Sequence, residues 1–276
     1  MTEVAPHQSS PILEVKDLSV SFTRPHRVDA VKDVSFNLHS GSIVAIVGES
    51  GSGKSVLAKT LTRLWLPSDP IEFSGTVTWK NQNLLVLKEK HLKGIRGNGF
   101  SYIFQEPSAS FNPILRIKSQ LKEVYRINGQ KDRYTDEVHD RLKSVGIMDT
   151  NRCLNSYPFE LSGGMLQRVS LLMALIPQPE ILIADEATTA LDASTQKRVI
   201  DLLREIPANS TTSILFITHD LGLLPDFADQ VLVMNKGELV ETGPVKTILN
   251  APKDPYTQRL IRSIPRLGAN LKRLPV

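Results

Sequence analysis

Hydrophobic and polar positions follow two rhythms along this chain. Ile12 to Phe22 and Val31 to Leu38 alternate apolar, often β-branched, residues with polar ones, the period of a half-buried strand, and the polar stretch Thr23 to Asp29 separates them. After Gly41 the alternation stops, and Ser42 to Val47 is a continuous apolar run that predicts a strand buried on both faces. A glycine-rich turn, Gly48 to Gly53, follows, then a helix predicted from Lys54 to about Leu66 and stopped by Pro67. Phe100 to Phe104, Ile181 to Ala184 and Ser213 to Thr218 repeat the buried-strand signature. Between the first two of these, Leu121, Val124 and Tyr125, and again Val138, Leu142 and Val145, recur at helical spacing. Ser108 to Pro158 therefore reads as a polar, helical insertion between two halves of an α/β core. Further helices are predicted from about Gly163 to Ile176, with Leu166, Val169, Met173 and Ile176 as one apolar face, and from about Ser194 to Ile206. Asn235-Lys236-Gly237, between Val231-Leu232-Val233 and Leu239-Val240, signals a hairpin.

Composition narrows the class. The 276 residues are 41% hydrophobic, 22% charged and 6% aromatic, with Gly 16 and Pro 17, which fits a globular chain and excludes a disordered or collagen-like one. The apolar runs fall far short of the roughly 20 residues that cross a bilayer. Met1 to Pro11 lacks a basic start and apolar stretch, so no secretory signal is expected. A single cysteine, Cys153, excludes an internal disulfide or a cysteine-held iron–sulfur cluster and favours a reducing cytoplasm. The net charge of +4 is uneven. From Ala251 onward Lys253, Arg259, Arg262, Arg266, Lys272 and Arg273 face one acid, Asp254, so the body is near neutral and the tail basic. Such a tail suits an anionic surface or a protein partner as well as a solvated terminus.

The chemistry concentrates at strand ends. Gly48-Glu49-Ser50-Gly51-Ser52-Gly53-Lys54-Ser55 fits the phosphate-loop pattern G-x-x-x-x-G-K-[ST]. Glycines let backbone N–H groups converge on phosphate oxygens at a helix N-terminus, Lys54 reaches the β- and γ-phosphates, and the Ser55 hydroxyl can ligate Mg²⁺. The strand Ile181 to Ala184 delivers Asp185 to the carboxyl edge of a sheet, where it can hold the metal's water shell, and Glu186 follows, placed to polarise an attacking water. Gln105 and His219 close two other core strands and belong at the same edge. Leu161-Ser162-Gly163-Gly164-Met165 opens a helix with Ser162 as a natural N-cap, and its glycines expose N–H groups suited to a second phosphate. One chain would own two anion grips, which is resolved if the second serves ATP held by another subunit.

With these motifs in this order, the chain resembles the ATP-binding subunits of ABC transporters, most closely the branch that imports dipeptides, oligopeptides or nickel. The resemblance implies an α/β phosphate-loop ATPase fold with an antiparallel β subdomain and an inserted α-helical subdomain, about 106–176, within an ATPase domain over 1–250, followed by a basic extension over 251–276. It implies ATP and Mg²⁺ as ligands. Gly48, Glu49, Ser50, Gly51, Ser52, Gly53, Lys54, Ser55 and Val56 would hold the nucleotide, Phe22 would stack on adenine, and Ser162, Gly163, Gly164 and Asp192 would reach a nucleotide across a dimer. Ser55, Gln105 and Asp185 would serve the metal, and Glu186, Gln105 and His219 the hydrolysis, with Glu186 as general base. Thr189-Ala190-Leu191-Asp192 looks like the D-loop of the family.

Phe104-Gln105-Glu106-Pro107, Phe111-Asn112-Pro113, Tyr157-Pro158, Met165, Pro255-Tyr256-Thr257 and Ile264-Pro265 carry the branch resemblance. Ala187, Leu166 and Asp254 depart from it, standing where proline, arginine and histidine are common, and none removes a group from the chemistry. The resemblance further implies a peripheral protein on the cytoplasmic face of the inner membrane. Its expected partners are a second ATPase subunit, in a heterodimer, two transmembrane permease subunits and an extracytoplasmic solute-binding protein, with no nucleic acid; the segment Glu106 to Ile117 would relay motion to the permease. A soluble ABC ATPase acting on nucleic acid usually needs a long coiled-coil insertion or two ATPase domains, for which 276 residues leave no room. A solitary phosphate-loop kinase or GTPase has no use for the Leu161 to Met165 grip.

Overall fold

The computed structural model describes residues 10–263 except 67 and 189–191; the structural statements below concern these residues. The predicted helix stop at Pro67, most of the Thr189-Ala190-Leu191-Asp192 segment, Ile264-Pro265 and the basic Arg266, Lys272 and Arg273 lie outside them, as does most of Met1 to Pro11.

In chain order the regular elements are β1 (Leu13–Phe22), β2 (Val28–Leu38), β3 (Ile43–Val47), α1 (Lys54–Leu61), β4 (Ile71–Trp79), β5 (Gln82–Asn83), α2 (Glu89–Ile95) and β6 (Phe100–Ile103). Then come α3 (Ile117–Ile127), α4 (Arg133–Ser144), α5 (Thr150–Asn155), α6 (Gly163–Leu175), β7 (Ile181–Asp185), α7 (Ala193–Asn209) and β8 (Ser213–Thr218). The described chain closes with β9 (Gln230–Asn235), β10 (Glu238–Pro244), α8 (Val245–Asn250) and α9 (Pro255–Arg262).

Two sheets form. An antiparallel one runs β2-β1-β4-β5, and a larger one runs β10-β9-β3-β8-β7-β6, parallel from β9 to β6 with β10 antiparallel at one edge. The run in β3 is apolar throughout because both faces of the strand are covered. Val44 and Ile46 join Leu57, Ala58 and Leu61 of α1 and the antiparallel sheet in one core, while Ile43, Ala45 and Val47 join Val199, Ile200 and Leu203 of α7 in a second. A third core holds the insertion together: Ile117, Leu121 and Tyr125 of α3, Val138 and Leu142 of α4, Cys153 and Leu154 of α5, and Leu166, Val169 and Leu172 of α6.

The structure corrects one expectation and adds two features. Helix α1 ends at Leu61 rather than about Leu66, because Arg63 takes a left-handed φ of 48° and the chain closes the helix with the paired bonds Leu64 N–H to Lys59 O (2.9 Å) and Arg63 N–H to Thr60 O (3.1 Å). Helix α6 keeps the expected face, with Leu166, Val169 and Ile176 in the insertion's core and Met173 packed against it, and adds a second, Leu171 and Ala174, that enters the core beneath the large sheet. Strand β4, not foreseen, pairs along β1, and its alternation is broken at Gly75, whose φ of 87° lets it sit against a register shift between Lys16 and Ser19; a Cβ there would lie 2.3 Å from the Asp17 carbonyl oxygen. Among the departures from the branch pattern, Ala187 and Leu166 are buried packing residues and Asp254 caps α9, accepting from Tyr256 N–H (2.7 Å) and Thr257 N–H (3.3 Å).

Candidate functional site

The parallel order β9-β3-β8-β7-β6 brings four strand ends to one edge. There the chain places the loop after β3, Gln105 after β6, Asp185 and Glu186 at the end of β7, and His219 after β8. A cavity of about 630 Å³ opens among them, lined by Gly48, Glu49, Ser50, Gly51, Gly53, Lys54, Ser55, Val56, Gln105, Glu186 and His219, together with Ala30 and Leu260.

The loop's backbone dictates its glycines. Gly51 and Gly53 have φ of 80° and 102°, and a Cβ on Gly53 would stand 2.3 Å from the Ala30 carbonyl oxygen. Gly53 is the N-cap of α1, so the amides of Lys54, Ser55 and Val56 begin the helix without intrahelical acceptors and supply donors and a partial positive charge to an anion. Two bonds brace the loop from behind, Ser52 N–H to Glu49 O (3.2 Å) and Gly237 N–H to Ser52 O (3.0 Å). The Lys54 side chain is 4% exposed; its ammonium donates to Gly48 O and Glu49 O, both at 2.9 Å. Burial lowers its pKa, against the opposing pull of Glu186, Asp185 and Glu49.

Asp185, 3% exposed, is gripped on both oxygens. Ser55 Oγ donates to Oδ1 at 3.0 Å and Tyr102 Oη to Oδ2 at 2.7 Å. Burial raises the Asp185 pKa although both bonds act to lower it, and burial with the nearby carboxylate raises that of the Tyr102 phenol. Ser55 and Asp185 suit a magnesium ion that arrives with phosphate oxygens and keeps waters, since Mg²⁺ takes one or two carboxylates at such sites. Among the described residues no group of three His, Cys, Asp or Glu side chains could cage an ion without a nucleotide.

Glu186 adopts a left-handed φ of 45°, held by its N–H bond to Ile217 O at 2.9 Å, the kind of backbone strain that clusters at active sites. Its Oε2 accepts from Gln105 Nε2 at 2.9 Å and lies 3.6 Å from His219 Nδ1. The three side chains foreseen for hydrolysis therefore meet around one carboxylate oxygen.

The remaining foreseen residues lie elsewhere. Ser162 caps α6 by accepting from Met165 N–H at 3.3 Å; it and Gly163 are exposed, and neither they nor Gly164 line the cavity. Asp192 caps α7, accepting from the N–H groups of Ser194 and Thr195 at 3.0 Å, and the Ser194 and Thr195 hydroxyls with these amides hold its carboxyl well below the usual range. Phe22 packs its ring edge-on against Trp65, centroids 5.9 Å apart, and is not among the cavity's lining residues; Ala30 is. Ser52 is buried behind the loop. Sequence reasoning missed Tyr102, although a tyrosine in an apolar strand signals a buried hydroxyl in need of a partner. It also missed Ala30 and Leu260, for which no local signal exists, and the contact of Tyr256 with the loop.

A glycine loop at a helix start, a lysine folded into it, a serine–aspartate pair and a glutamate poised over the cavity define a phosphate-loop nucleotide hydrolase. The family profile described as ABC transporter matches residues 31–189, and that of the oligopeptide/dipeptide transporter C-terminal region matches 240–276. The dipeptide transport ATP-binding protein of Bacillus subtilis is 43% identical over 262 residues, covering 94% of this chain and 78% of its own. The oligopeptide transport ATP-binding protein of the same organism is 42% identical over 263 residues, covering 94% and 73%. A dimeric ATP-binding cassette solved in a post-hydrolysis state with ADP and Pi superposes with a TM-score of 0.72 at 25% identity, over 84% of this chain and 98% of that one. The chain belongs to the ABC transporter family of ATP-binding subunits, has its ATPase fold, and is an ATP hydrolase by that membership.

Proposed function

We propose that this chain is the ATP-binding and hydrolysing subunit of a membrane importer for dipeptides or oligopeptides. The clustering of Gln105, Glu186 and His219 beside the Lys54 loop carries the hydrolytic half of this reading. The match of the C-terminal segment to the peptide-transporter profile, with relatives named for dipeptide and oligopeptide transport, supports the substrate class.

In this reading Lys54 leaves the Gly48 and Glu49 carbonyls for the β- and γ-phosphates, while the first amides of α1 hold the phosphate oxygens. Ser55 and Asp185 would hold Mg²⁺, which would offset phosphate charge. Glu186 orients a water and takes its proton as the water oxygen bonds to the γ-phosphorus and the bond to the β-phosphate oxygen breaks, giving ADP and phosphate. Gln105 and His219 hold the Glu186 carboxylate in line. Ser162, Gly163 and Gly164, pointing outward from one chain, close on the ATP of a second ATPase subunit, and Asp192 stands at the same interface. The exposed Ile114 and Leu115, in the segment after Gln105, meet a permease subunit at the cytoplasmic membrane face. Among the described residues no helix is long and apolar enough to cross a membrane, and in this reading separate permease chains form the pathway.

The test is uptake of a labelled dipeptide and of nickel by cells with and without this subunit. Loss of dipeptide uptake alone supports the reading, and loss of nickel uptake alone overturns the substrate assignment.

A further inference from the structure

The nucleotide cavity has one wall that the hydrolytic machinery does not account for. Helix α9, more than 200 residues along the chain from the phosphate loop, sends Leu260 into the cavity's lining and Tyr256 against the loop itself. The Tyr256 phenol oxygen accepts a hydrogen bond from the Glu49 N–H at 2.9 Å. That N–H shares its peptide plane with the Gly48 carbonyl, whose oxygen accepts from Lys54 Nζ at 2.9 Å. Because a peptide unit is planar, the two bonds hold one rigid plate from opposite edges, Lys54 on the carbonyl and Tyr256 on the N–H.

We propose that Tyr256 is a positioning residue for nucleotide binding: it sets the orientation of the Gly48–Glu49 peptide, and through it couples α9 to the phosphate loop. When Lys54 swings from the Gly48 carbonyl to a phosphate, Tyr256 is the restraint left on that plate. A loop built on glycines with positive φ has several peptide orientations open to it, so an outside anchor reduces the conformational freedom lost on binding. The anchor is itself fixed. Tyr256 is 7% exposed, and the N-terminus of α9 is held by Asp254 on the Tyr256 and Thr257 amides and by Glu241 of β10, which accepts from Lys253 N–H (2.8 Å) and Asp254 N–H (3.1 Å). By thermodynamic reciprocity, nucleotide that favours the anchored loop also favours the docked helix. The segment matched to the peptide-transporter C-terminal profile is thereby part of the ATP site.

This inference rests on the nucleotide-binding reading above, and the experiment separates the two. With the full chain, Mg-ATP affinity is measured by calorimetry for wild type, Lys54→Ala and Tyr256→Phe, alongside thermal unfolding. Phenylalanine keeps the ring packing and removes only the hydroxyl, so Tyr256→Phe should still unfold cooperatively, within the few degrees that one hydrogen bond allows, yet bind ATP about five-fold more weakly at a temperature where both proteins are folded. Hydrogen exchange of wild-type protein should show the peptide over residues 255–262 slowed by ATP, and that over 48–53 quickened in Tyr256→Phe. Wild-type affinity in Tyr256→Phe, a loss that only tracks a lowered unfolding temperature, or exchange in α9 indifferent to ATP overturns the proposal. Should Lys54→Ala lose ATP while Tyr256→Phe binds normally, the positioning role alone falls; should the wild-type chain bind no ATP, both readings fall.

Discussion

The two anion grips proposed for this chain are built in opposite ways. At the phosphate loop the key polar groups are bonded within the chain: Lys54 is buried on loop carbonyls, Asp185 is bonded on both oxygens, and Glu186 receives Gln105. At the start of α6, Ser162 serves only its own helix and Gly163 meets nothing a Cβ would touch within 4 Å. The first grip is finished within one chain, and the second is presented outward. A residue whose partners lie in its own chain can be tested in the isolated subunit, whereas one facing outward is tested in the assembly.

That contrast orders the predictions. Glu186→Gln should lower ATP turnover by about 10²–10⁴, the range for a lost general base, while ATP still binds and a closed dimer accumulates; turnover at the wild-type rate refutes the assignment. Gly163→Asp places a carboxylate at the outward grip. In the assembled transporter turnover should fall by roughly 10², as for loss of a transition-state donor, with ATP affinity of the isolated chain unchanged; a drop in that affinity breaks the comparison. Lys54→Ala should do the reverse, weakening ATP binding in the isolated chain by about ten-fold or more, as expected for a lost charged hydrogen bond, measured by calorimetry. Tyr102→Phe frees one oxygen of Asp185 and should shift the Mg²⁺ concentration for half-maximal activity by about five-fold, read from a metal titration at fixed ATP. Asp254→Ala removes the cap of α9 and should cost about 1 kcal/mol in denaturant unfolding.

The parts legible in the sequence were those whose cause is local. A buried strand followed by glycines and a lysine explains itself within fifteen residues, and Ser213 to Thr218 formed β8 at the foreseen bounds because both its faces needed cover. The end of α1 was misjudged because a left-handed arginine did the work usually given to glycine. Strand β4 hid behind Gly75, whose reason for being glycine lies across the sheet at Asp17. Phe22 showed an aromatic at a strand end, but not that its ring would meet Trp65. Tyr256 sits in a motif that sequence alone could attach to a family but not to the loop it touches, since the bond joins positions 207 residues apart.

Helix α6 inserts side chains into two cores at once, Leu166 and Leu172 on one side and Leu171 and Ala174 on the other. Such a helix ties two layers together. Densely packed interiors yield by sliding rather than by opening, so in the proposed importer a displacement of Ser162 at the head of α6 would be felt in both cores at once.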